Sequence, residues 1–305
     1  MSSGVPVPVA PVPVAPVAPG TRADVPRRFS RRRFARRAVL NLVATLVFLV
    51  MIFPVYWMVA TGFKRGQDIF SDPPVWFPYH PTLSNFADAI HRAHFWADVK
   101  NSLIIVGCVV ALSLVLAFLA ALALAKFRFY GRRGFIVLII AVQMIPLNAL
   151  IIPIFLVLSK ANQVDKLSGV IVTYLTFVLP FTIWTLRGFM LGVPKDLEEA
   201  SMVDGTTRFG AFVRILLPLV GPGLVATSIF AFIQAWNEFI MAYVLLHSPE
   251  KQTLTLWLAT FSTNRGTDWG SLMAGATLTA LPVVVFFVLV QRKIAFGLTA
   301  GAVRG

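Results

Sequence analysis

Long apolar stretches separated by short polar segments dominate the hydropathy pattern of this chain. A helix needs about 20 mainly apolar residues to cross the roughly 30 Å hydrocarbon core of a bilayer. In lipid every backbone polar group must be bonded internally, and long runs without polar–apolar alternation favour helices over strands. Six stretches qualify, and they predict an all-α integral membrane protein with six transmembrane helices at about residues 38–62, 102–125, 135–158, 169–193, 223–247 and 273–294.

Two further features modify this pattern. The proline-rich connection 63–101 ends in a short amphipathic segment that predicts a helix from Leu83 to Trp96. Proline inside a helix removes one hydrogen bond and favours a bend. Five prolines fall inside the predicted spans, namely Pro54, Pro146, Pro153, Pro180 and Pro282.

Composition agrees with a membrane location. The chain is 57% hydrophobic and 13% charged, whereas soluble domains carry about 25% charged residues. Residues 1–37 combine a Pro/Val/Ala-rich stretch with an arginine cluster, which predicts a disordered cytoplasmic tail. The first apolar run is too long for the core of a secretory signal. The cations are not spread over a folded face, so no nucleic-acid partner is predicted.

The distribution of basic residues between the connections predicts the orientation. If the amino terminus is inside, 19 of the 27 lysines and arginines lie on the inside and 8 lie outside. Lysine and arginine are enriched in cytoplasmic connections. A multi-pass protein with both termini in the cytoplasm is therefore predicted, and the connection between the fourth and fifth spans faces the cytoplasm.

That connection, residues 194–222, carries the most specific motif of the chain. Its ordered positions are Glu199, Ala200 and Ser201, then after three residues Gly205, then after nine residues Ile215, Leu217 and Pro218. Pro194 suits the first turn of a helix, and the acidic residues after it complement the positive end of that helix. Gly205 predicts its end. A second helix is predicted from Phe209 to Leu217, ending at Pro218.

The spacing is similar to the conserved cytoplasmic loop of ABC-importer permeases, in which Glu-Ala-Ala is followed by three residues, Gly, nine residues and Ile-x-Leu-Pro. Further segments resemble carbohydrate-type permeases, specifically the smaller subunit of the maltose-transporter kind: Met144–Pro146, Leu179–Trp184, Trp236–Phe239, Asp268–Gly270 and Gly297–Gly305. The likeness covers residues 38–305, the predicted permease domain, which ends in a cytoplasmic tail at 295–305. It departs from the family pattern at Ser201 and Arg304, which replace Ala and Lys.

The resemblance implies a type I ABC importer permease of MetI-like architecture, forming half of a sugar pathway in a bacterial cell membrane. Its implied partners are a second, homologous permease subunit, a dimer of ATPase subunits, an extracytoplasmic solute-binding protein, the sugar and membrane lipids. ATP and Mg would be used by the ATPase, and this chain would bind no cofactor. The residues implied in docking to the ATPase are Glu198, Glu199, Ala200, Ser201, Asp204 and Gly205.

Motifs for energy conversion or catalysis are not found in the sequence. It lacks the Gly-x-x-x-x-Gly-Lys-Ser/Thr loop that cradles nucleotide phosphates, and no catalytic residues or metal ligands are predicted. The chain is therefore predicted not to be an enzyme and to take its energy from a partner. The alternative is an ion-coupled secondary carrier, but such carriers use broken helices in inverted repeats. No such repeat is apparent, and a carrier would leave the docking loop without a role.

The fifth span offers a candidate surface for the translocation pathway. Gln234, Asn237 and Glu238 share one face of the predicted helix. Glu238 lies near the predicted membrane middle, where an ionisable group usually faces a cavity or a partner. A hydrogen-bond network between helices is an equally weighted alternative for these residues.

The polar segment 262–270 on the outside is the second candidate contact. The resemblance implies that this loop reaches the binding protein, with Asn264, Asp268 and Trp269 as the contact residues. A plain surface turn is the alternative of comparable weight.

Overall fold

The computed structural model describes the backbone of residues 31–301 and the side chains of residues 36–291. Helices make up nearly all of the regular structure. The elements in chain order are α1 (Arg31–Gly62), α2 (Gly66–Ile69), α3 (Ser84–His91), α4 (Phe95–Lys126), α5 (Arg132–Gln143), α6 (Ile151–Lys160), α7 (Leu167–Leu191), α8 (Lys195–Val203), α9 (Arg208–Ala211), α10 (Leu217–Asn237), α11 (Ile240–Leu245), α12 (Leu254–Ala259), β1 (Ser262–Thr263), β2 (Gly266–Thr267) and α13 (Trp269–Gly301).

The predicted all-α membrane fold is confirmed. Five helical segments are long and apolar enough to cross a membrane, and the bent pair α5–α6 makes a sixth if it counts as one span. The helix ends differ from the prediction. Helix α1 begins at Arg31, inside the predicted tail 1–37, and α13 continues to Gly301, inside the predicted tail 295–305. The remaining tail residues, 1–30 and 302–305, lie outside the described part of the chain.

The third span is not one continuous helix, which corrects the predicted helix at 135–158. Helix α5 ends at Gln143, and the chain then bends by 95° before the turn at 147–150 and α6. Pro146 lies in the break with ψ 128° and extends the backbone. Proline also disfavours helical geometry in the residue before it. Pro153 does not interrupt α6, because it is the third residue of that helix, where the N–H that proline lacks would have no acceptor within the helix.

The fifth span also differs from the predicted helix at 223–247. A helical segment runs without interruption from Arg208 to Asn237, so Pro218 does not end a helix. Five residues before α10, at Phe212–Leu216, have π-helical geometry, and Pro218 follows in the first turn of α10. At the other end the helix stops at Asn237. Glu238 is extended with ψ 127°, and the short helix α11 begins two residues later.

The helix predicted within the connection 63–101 is not continuous in the structure. Helix α3 covers Ser84–His91, and α4 begins at Phe95, so the predicted helix Leu83–Trp96 is interrupted. His94 lies in the interruption with φ 65°, a left-handed conformation that ends regular helix.

The chain divides into two units between Phe53 and Pro54, and the first unit ends within α1. In the second unit α4 packs along α7, and α10 packs against α4, α7 and α13. One apolar core surrounds Tyr174 and Trp257 near the amino-terminal ends of α4 and α7. A second core surrounds Ala121 and Leu186 near the carboxyl-terminal ends of the same helices, and it includes Leu216. The loop 194–222 therefore rests on the second core.

The segment 250–254 is tied to the opposite end of α4. The Asn101 side-chain amide donates to the carbonyls of Glu250 and Gln252, at 2.9 and 3.0 Å. The Leu254 N–H donates to the Ser102 hydroxyl at 2.8 Å. Asn101 and Ser102 lie in the first turns of α4, whereas Lys126 is its last residue and binds Glu198. The segment 250–254 and the loop 194–222 therefore lie at opposite ends of α4.

Candidate coupling site

Helix α8 follows α7 closely, and residues at both of its ends favour its start and its termination. Pro194 occupies the N-cap position with φ −57° and ψ 136°, and Asp196 and Glu198 lie in the first turn. Carboxylates in a first turn stabilise the positive end of the helix by about 0.3–1 kcal/mol each. The predicted helix start is therefore seen in the structure, with α8 extending from Lys195 to Val203.

The turn after α8 depends on Gly205 and on two hydroxyl groups. Gly205 has φ +90°, and its N–H donates to the Met202 carbonyl at 3.1 Å. A residue with a side chain is strained at this φ. The Thr206 hydroxyl donates to the Ser201 carbonyl at 2.5 Å, and the Ser201 hydroxyl donates to the Thr206 oxygen. Ser201, which replaces the alanine of the family pattern, is buried and stabilises this turn.

An ion pair connects α8 to the end of the second span. The Lys126 Nζ lies 2.5 Å from the Glu198 Oε1, and the two side chains are only 13% and 25% exposed. Sequence reasoning named Glu198 but missed its partner. The lone lysine at the carboxyl end of an apolar run was the available signal, since a cation there complements the helix dipole and can bind a nearby carboxylate.

The outer surface of α8 and its turn is open. Glu199, Ala200, Asp204 and Gly205 are exposed. Apolar side chains lie beside them, with Val203 85% and Phe209 74% exposed. An exposed surface of this kind, polar and apolar together with small residues between, is typical of a protein-contact site.

A cavity of about 460 Å³ lies between α8, the end of α4 and residues 208–216. Its apolar wall includes Leu122, Phe212 and Leu216, while Lys126 and Glu198 line its polar side. Beside this cavity, the Lys126–Glu198 pair joins α8 to the end of α4. Helix α8 and the turn after it carry all six predicted docking residues, namely Glu198, Glu199, Ala200, Ser201, Asp204 and Gly205.

The three predicted pathway residues are not equivalent in the structure. Gln234 and Asn237 are exposed on the last turn of α10, and the Asn237 amide donates to the Ile233 carbonyl. Glu238 is outside the helix, so its predicted place on the same helical face is wrong. Its carboxylate instead accepts the N–H groups of Met241 at 2.8 Å and Ala242 at 3.1 Å, the free donors at the start of α11.

The backbone at Glu238 is held as well. Its carbonyl accepts hydrogen bonds from the Thr255 hydroxyl at 3.0 Å and from the Tyr174 hydroxyl. The bonds that Glu238 makes in the described structure thus stabilise a helix break. The sequence signal for the break was weak, since Asn-Glu in an apolar context also fits a helix interior.

The loop 262–268 forms a short β-hairpin that is followed directly by α13. Strands β1 and β2 pair antiparallel, with Ser262 opposite Thr267. Asn264 is exposed in the turn, and Trp269 is 43% exposed. Asp268 is exposed, and its Oδ1 accepts the Ser271 N–H at 3.2 Å, which satisfies a first-turn donor of α13.

An acidic side chain that was not predicted as a site residue, Asp165, joins the connection between α6 and α7 to the segment after α11. The Asp165 carboxylate accepts from the N–H groups of His247 and Ser248, from the Ser248 hydroxyl, and from the Lys251 ammonium at 2.8 Å. Hydrogen bonds from Lys251 and then Ser248 hold the pKa of Asp165 well below its usual range. Among side chains 36–291, no group of three His, Cys, Asp or Glu residues is placed to hold a metal ion.

The membrane-length helices α4, α7, α10 and α13 pack against one another, α8 lies near one end of α4 and the segment 250–254 lies near the other. This arrangement is that of a multi-pass membrane protein. The chain belongs to the family described as binding-protein-dependent transport system inner membrane component, whose model matches residues 113–299. This range includes the whole loop 194–222. The family is one of transport permeases, which confirms the predicted class, and an ion-coupled carrier finds no support among the relatives.

Relatives of known designation agree with this assignment. The chain is 49% identical over 265 residues to the diacetylchitobiose uptake system permease protein DasC of Streptomyces coelicolor. The aligned region covers 87% of this chain and 96% of that protein. It is 32% identical over 265 residues to the trehalose/maltose transport system permease protein MalG of Thermococcus litoralis, covering 86% of this chain and 95% of that protein.

A solved structure shares the fold. It is a bacterial ABC transporter involved in the import of the acidic polysaccharide alginate, and one of its chains matches with a TM-score of 0.73 at 22% identity. The match covers 87% of this chain and 98% of that chain. The predicted ABC-importer permease architecture is confirmed by this match and by the family.

Proposed function

We propose that this chain is one of two permease subunits of an ATP-driven sugar importer and that it couples to an ATPase through the loop 194–218. The partners are a homologous permease, a dimer of ATPase subunits that uses ATP and Mg, and an extracytoplasmic solute-binding protein. Both termini and the loop face the cytoplasm. ATP binding draws the coupling loops together and turns the pathway outward, and hydrolysis resets it.

The observation that carries the coupling role is the exposed surface of α8. Ala200 leaves room for a partner surface to approach closely, and Val203 and Phe209 offer apolar area that is otherwise left in water. Burying that area against a partner is favourable by about 25 cal/mol per Å². The Lys126–Glu198 pair then transmits a movement of α8 to the second span, because the pair joins the two elements directly.

The sugar class is supported by the relatives, two of which carry the names of diacetylchitobiose and trehalose/maltose permeases. Exposed amides suit sugar hydroxyls, since an amide both donates and accepts hydrogen bonds. Gln234 and Asn237 supply such groups at the end of α10. At the outer hairpin, Asn264, Asp268 and Trp269 present polar and aromatic groups for the binding protein.

The coupling proposal can be tested by enlarging Ala200. The variant Ala200→Trp should fold normally, because the position is exposed, but should lose the ATPase during purification of the complex. Ala161→Trp is the matched control, since Ala161 is an exposed alanine directly after α6, in the connection to α7 and away from α8. Retention of the ATPase by Ala200→Trp would contradict docking at α8.

Uptake of radiolabelled diacetylchitobiose by cells tests the sugar separately. The wild type and Ala161→Trp should take up the sugar, and Ala200→Trp should not. If the wild-type complex retains an ATPase but transports no oligosaccharide, the coupling role stands and the sugar assignment is wrong.

A further inference from the structure

Four arginines line one cavity of about 570 Å³ at the same end of the molecule as α8. They are Arg128, Arg132, Arg133 and Arg187. The first three belong to the connection between α4 and α5 or to the first turn of α5, and Arg187 lies in the last turns of α7. Helix α5 packs against α7, which brings the two groups of cations together.

The charge of this cavity is not compensated by the described residues. No carboxylate is among the eight residues that line it, and neither ion pair found in the described structure involves an arginine. The Nε atoms of Arg132 and Arg187 are buried and have no hydrogen-bond partner. A buried donor without a partner costs about 1–3 kcal/mol, and more when the group is charged. These two Nε–H groups therefore lack an acceptor among the described residues, and the contact of the Arg187 guanidinium with the Trp184 ring, at 5.5 Å from its centroid, does not supply one.

The geometry of α5 strengthens the preference for an anion. Its N-cap is Gly131 with φ +85°, and its first turn contains no acidic residue. The positive end of the helix dipole and its free N–H groups add to the guanidinium charges. Guanidinium forks bind phosphate oxygens with two parallel hydrogen bonds, which suits a phosphate group.

The surroundings favour a lipid over a soluble anion. The cavity lies where two membrane-length segments end, and Tyr130 and Phe129 are exposed at its rim. Aromatic residues of this kind sit at the headgroup level of membranes. Below the rim, α5 exposes Val137 and Leu138, which provide apolar surface for acyl chains. Basic pockets between helices at a membrane surface are suited to anionic headgroups.

We propose that this cavity, lined by Arg128, Arg132, Arg133 and Arg187, is a binding site for the phosphate headgroup of an anionic phospholipid. The site lies in the leaflet next to the coupling loop. Because Arg187 belongs to α7 and α8 follows α7 closely, a bound lipid holds α5 against the helix that carries the loop. This role is independent of the sugar and of the ATPase.

The test is native mass spectrometry of the purified full chain in mixed micelles of phosphatidylglycerol and phosphatidylcholine. The wild type should retain phosphatidylglycerol selectively. The pair Arg132→Gln with Arg187→Gln should bind it at least fivefold more weakly, since one cation near an anionic surface contributes about fivefold in affinity. The matched control is Arg208→Gln with Arg214→Gln, which removes two arginines of the nearby loop that do not line this cavity.

Further measurements separate the alternatives. The pair Arg132→Lys with Arg187→Lys keeps the charge but removes the guanidinium forks, so it should bind phosphatidylglycerol more weakly than the wild type and more tightly than the Gln pair. Equal losses in the cavity pair and the control pair would indicate diffuse surface charge and would overturn the proposal. Displacement of the lipid by excess inorganic phosphate would identify a soluble-anion site instead. If the Gln pair fails to insert into the membrane, photocrosslinking of the wild-type protein with phosphatidylglycerol tests the site instead. Labelling of residues 128–136 or Arg187 would support the site, and labelling only elsewhere would overturn the proposal.

Discussion

Lys126, the last residue of α4, forms an ion pair with Glu198 on α8, and their Nζ and Oε1 atoms are 2.5 Å apart. This contact attaches α8 to α4, in addition to its direct chain connection to α7. A partner that moves α8 therefore acts on two spans at once, on α7 through the chain and on α4 through the ion pair.

Breaking this pair should uncouple transport more than it should unfold the protein. Lys126→Ala is expected to cost about 1–3 kcal/mol of stability, because the side chains are only 13% and 25% exposed and the Glu198 carboxylate loses its partner. Transport coupled to ATP should fall much further, since the second link to the helix layer is lost. Uptake by intact cells and thermal unfolding of the purified protein give the two values.

A charge exchange provides the control for this prediction. Lys126→Glu combined with Glu198→Lys restores the attraction with reversed sign and should recover a large part of the lost transport. A double variant that is as inactive as the worse single variant would show that the charges act on another group.

Glu238 should act on stability through α11. Glu238→Gln leaves one carbonyl oxygen to accept from two N–H groups and turns an NH₂ group towards a donor, so a loss of about 2 kcal/mol is expected. Asn237→Ala is the control, because the described bond of that amide stays within its own helix. Thermal unfolding in detergent measures both variants. Transport that falls in Glu238→Gln while stability is unchanged would instead favour a pathway role.

Asp165 should make the stability of the protein sensitive to acid, through its bonds to residues 247–251. Its pKa is lower in the folded protein than in the unfolded chain, because Lys251 and Ser248 stabilise the carboxylate. Its contribution to stability is therefore complete above the ordinary aspartate pKa of about 3.9 and is lost as the pH falls below that value. The difference in melting temperature between the wild type and Asp165→Asn should be constant from neutral pH to about pH 5 and should shrink below about pH 4. A difference that did not change with pH would disprove this assignment.

Gly270 should be intolerant of a side chain, in contrast to Gly107. A Cβ at Gly270 would lie 2.7 Å from the Asn85 Oδ1, and the Asn85 amide holds the carbonyls of Gly62 and Lys64. Gly270→Ala is expected to cost about 1–3 kcal/mol through this overlap.

At Gly107, in the interior of α4, a Cβ would meet nothing within 4 Å. Gly107→Ala should be neutral or stabilising by up to about 1 kcal/mol, because alanine has the higher helix propensity. Thermal unfolding of the two variants side by side provides the comparison. Equal behaviour would show that the Asn85 contact does not restrict this junction.

Much of the fold was predictable because lipid allows few alternatives. A segment with enough apolar residues to cross a bilayer must be helical there, so α4, α7 and α13 follow from their composition. The helix and turn of the loop 194–222 were also predictable in outline, since Pro194 and Gly205 act locally through their own backbone preferences. The sequence by itself thus determined the class of protein, the number of spans and the place of the loop.

Breaks and contacts between distant residues depended on the tertiary structure. The helix break at Glu238 requires the amides of α11 and the hydroxyl groups of Tyr174 and Thr255, which no local pattern brings together. The ion pairs of Lys126 with Glu198 and of Lys251 with Asp165 could not be predicted either, because any lysine can bind any carboxylate that the fold places beside it. Hydropathy reports how much of a segment is apolar, whereas the bending of a helix and the pairing of its charges depend on neighbours that only packing supplies.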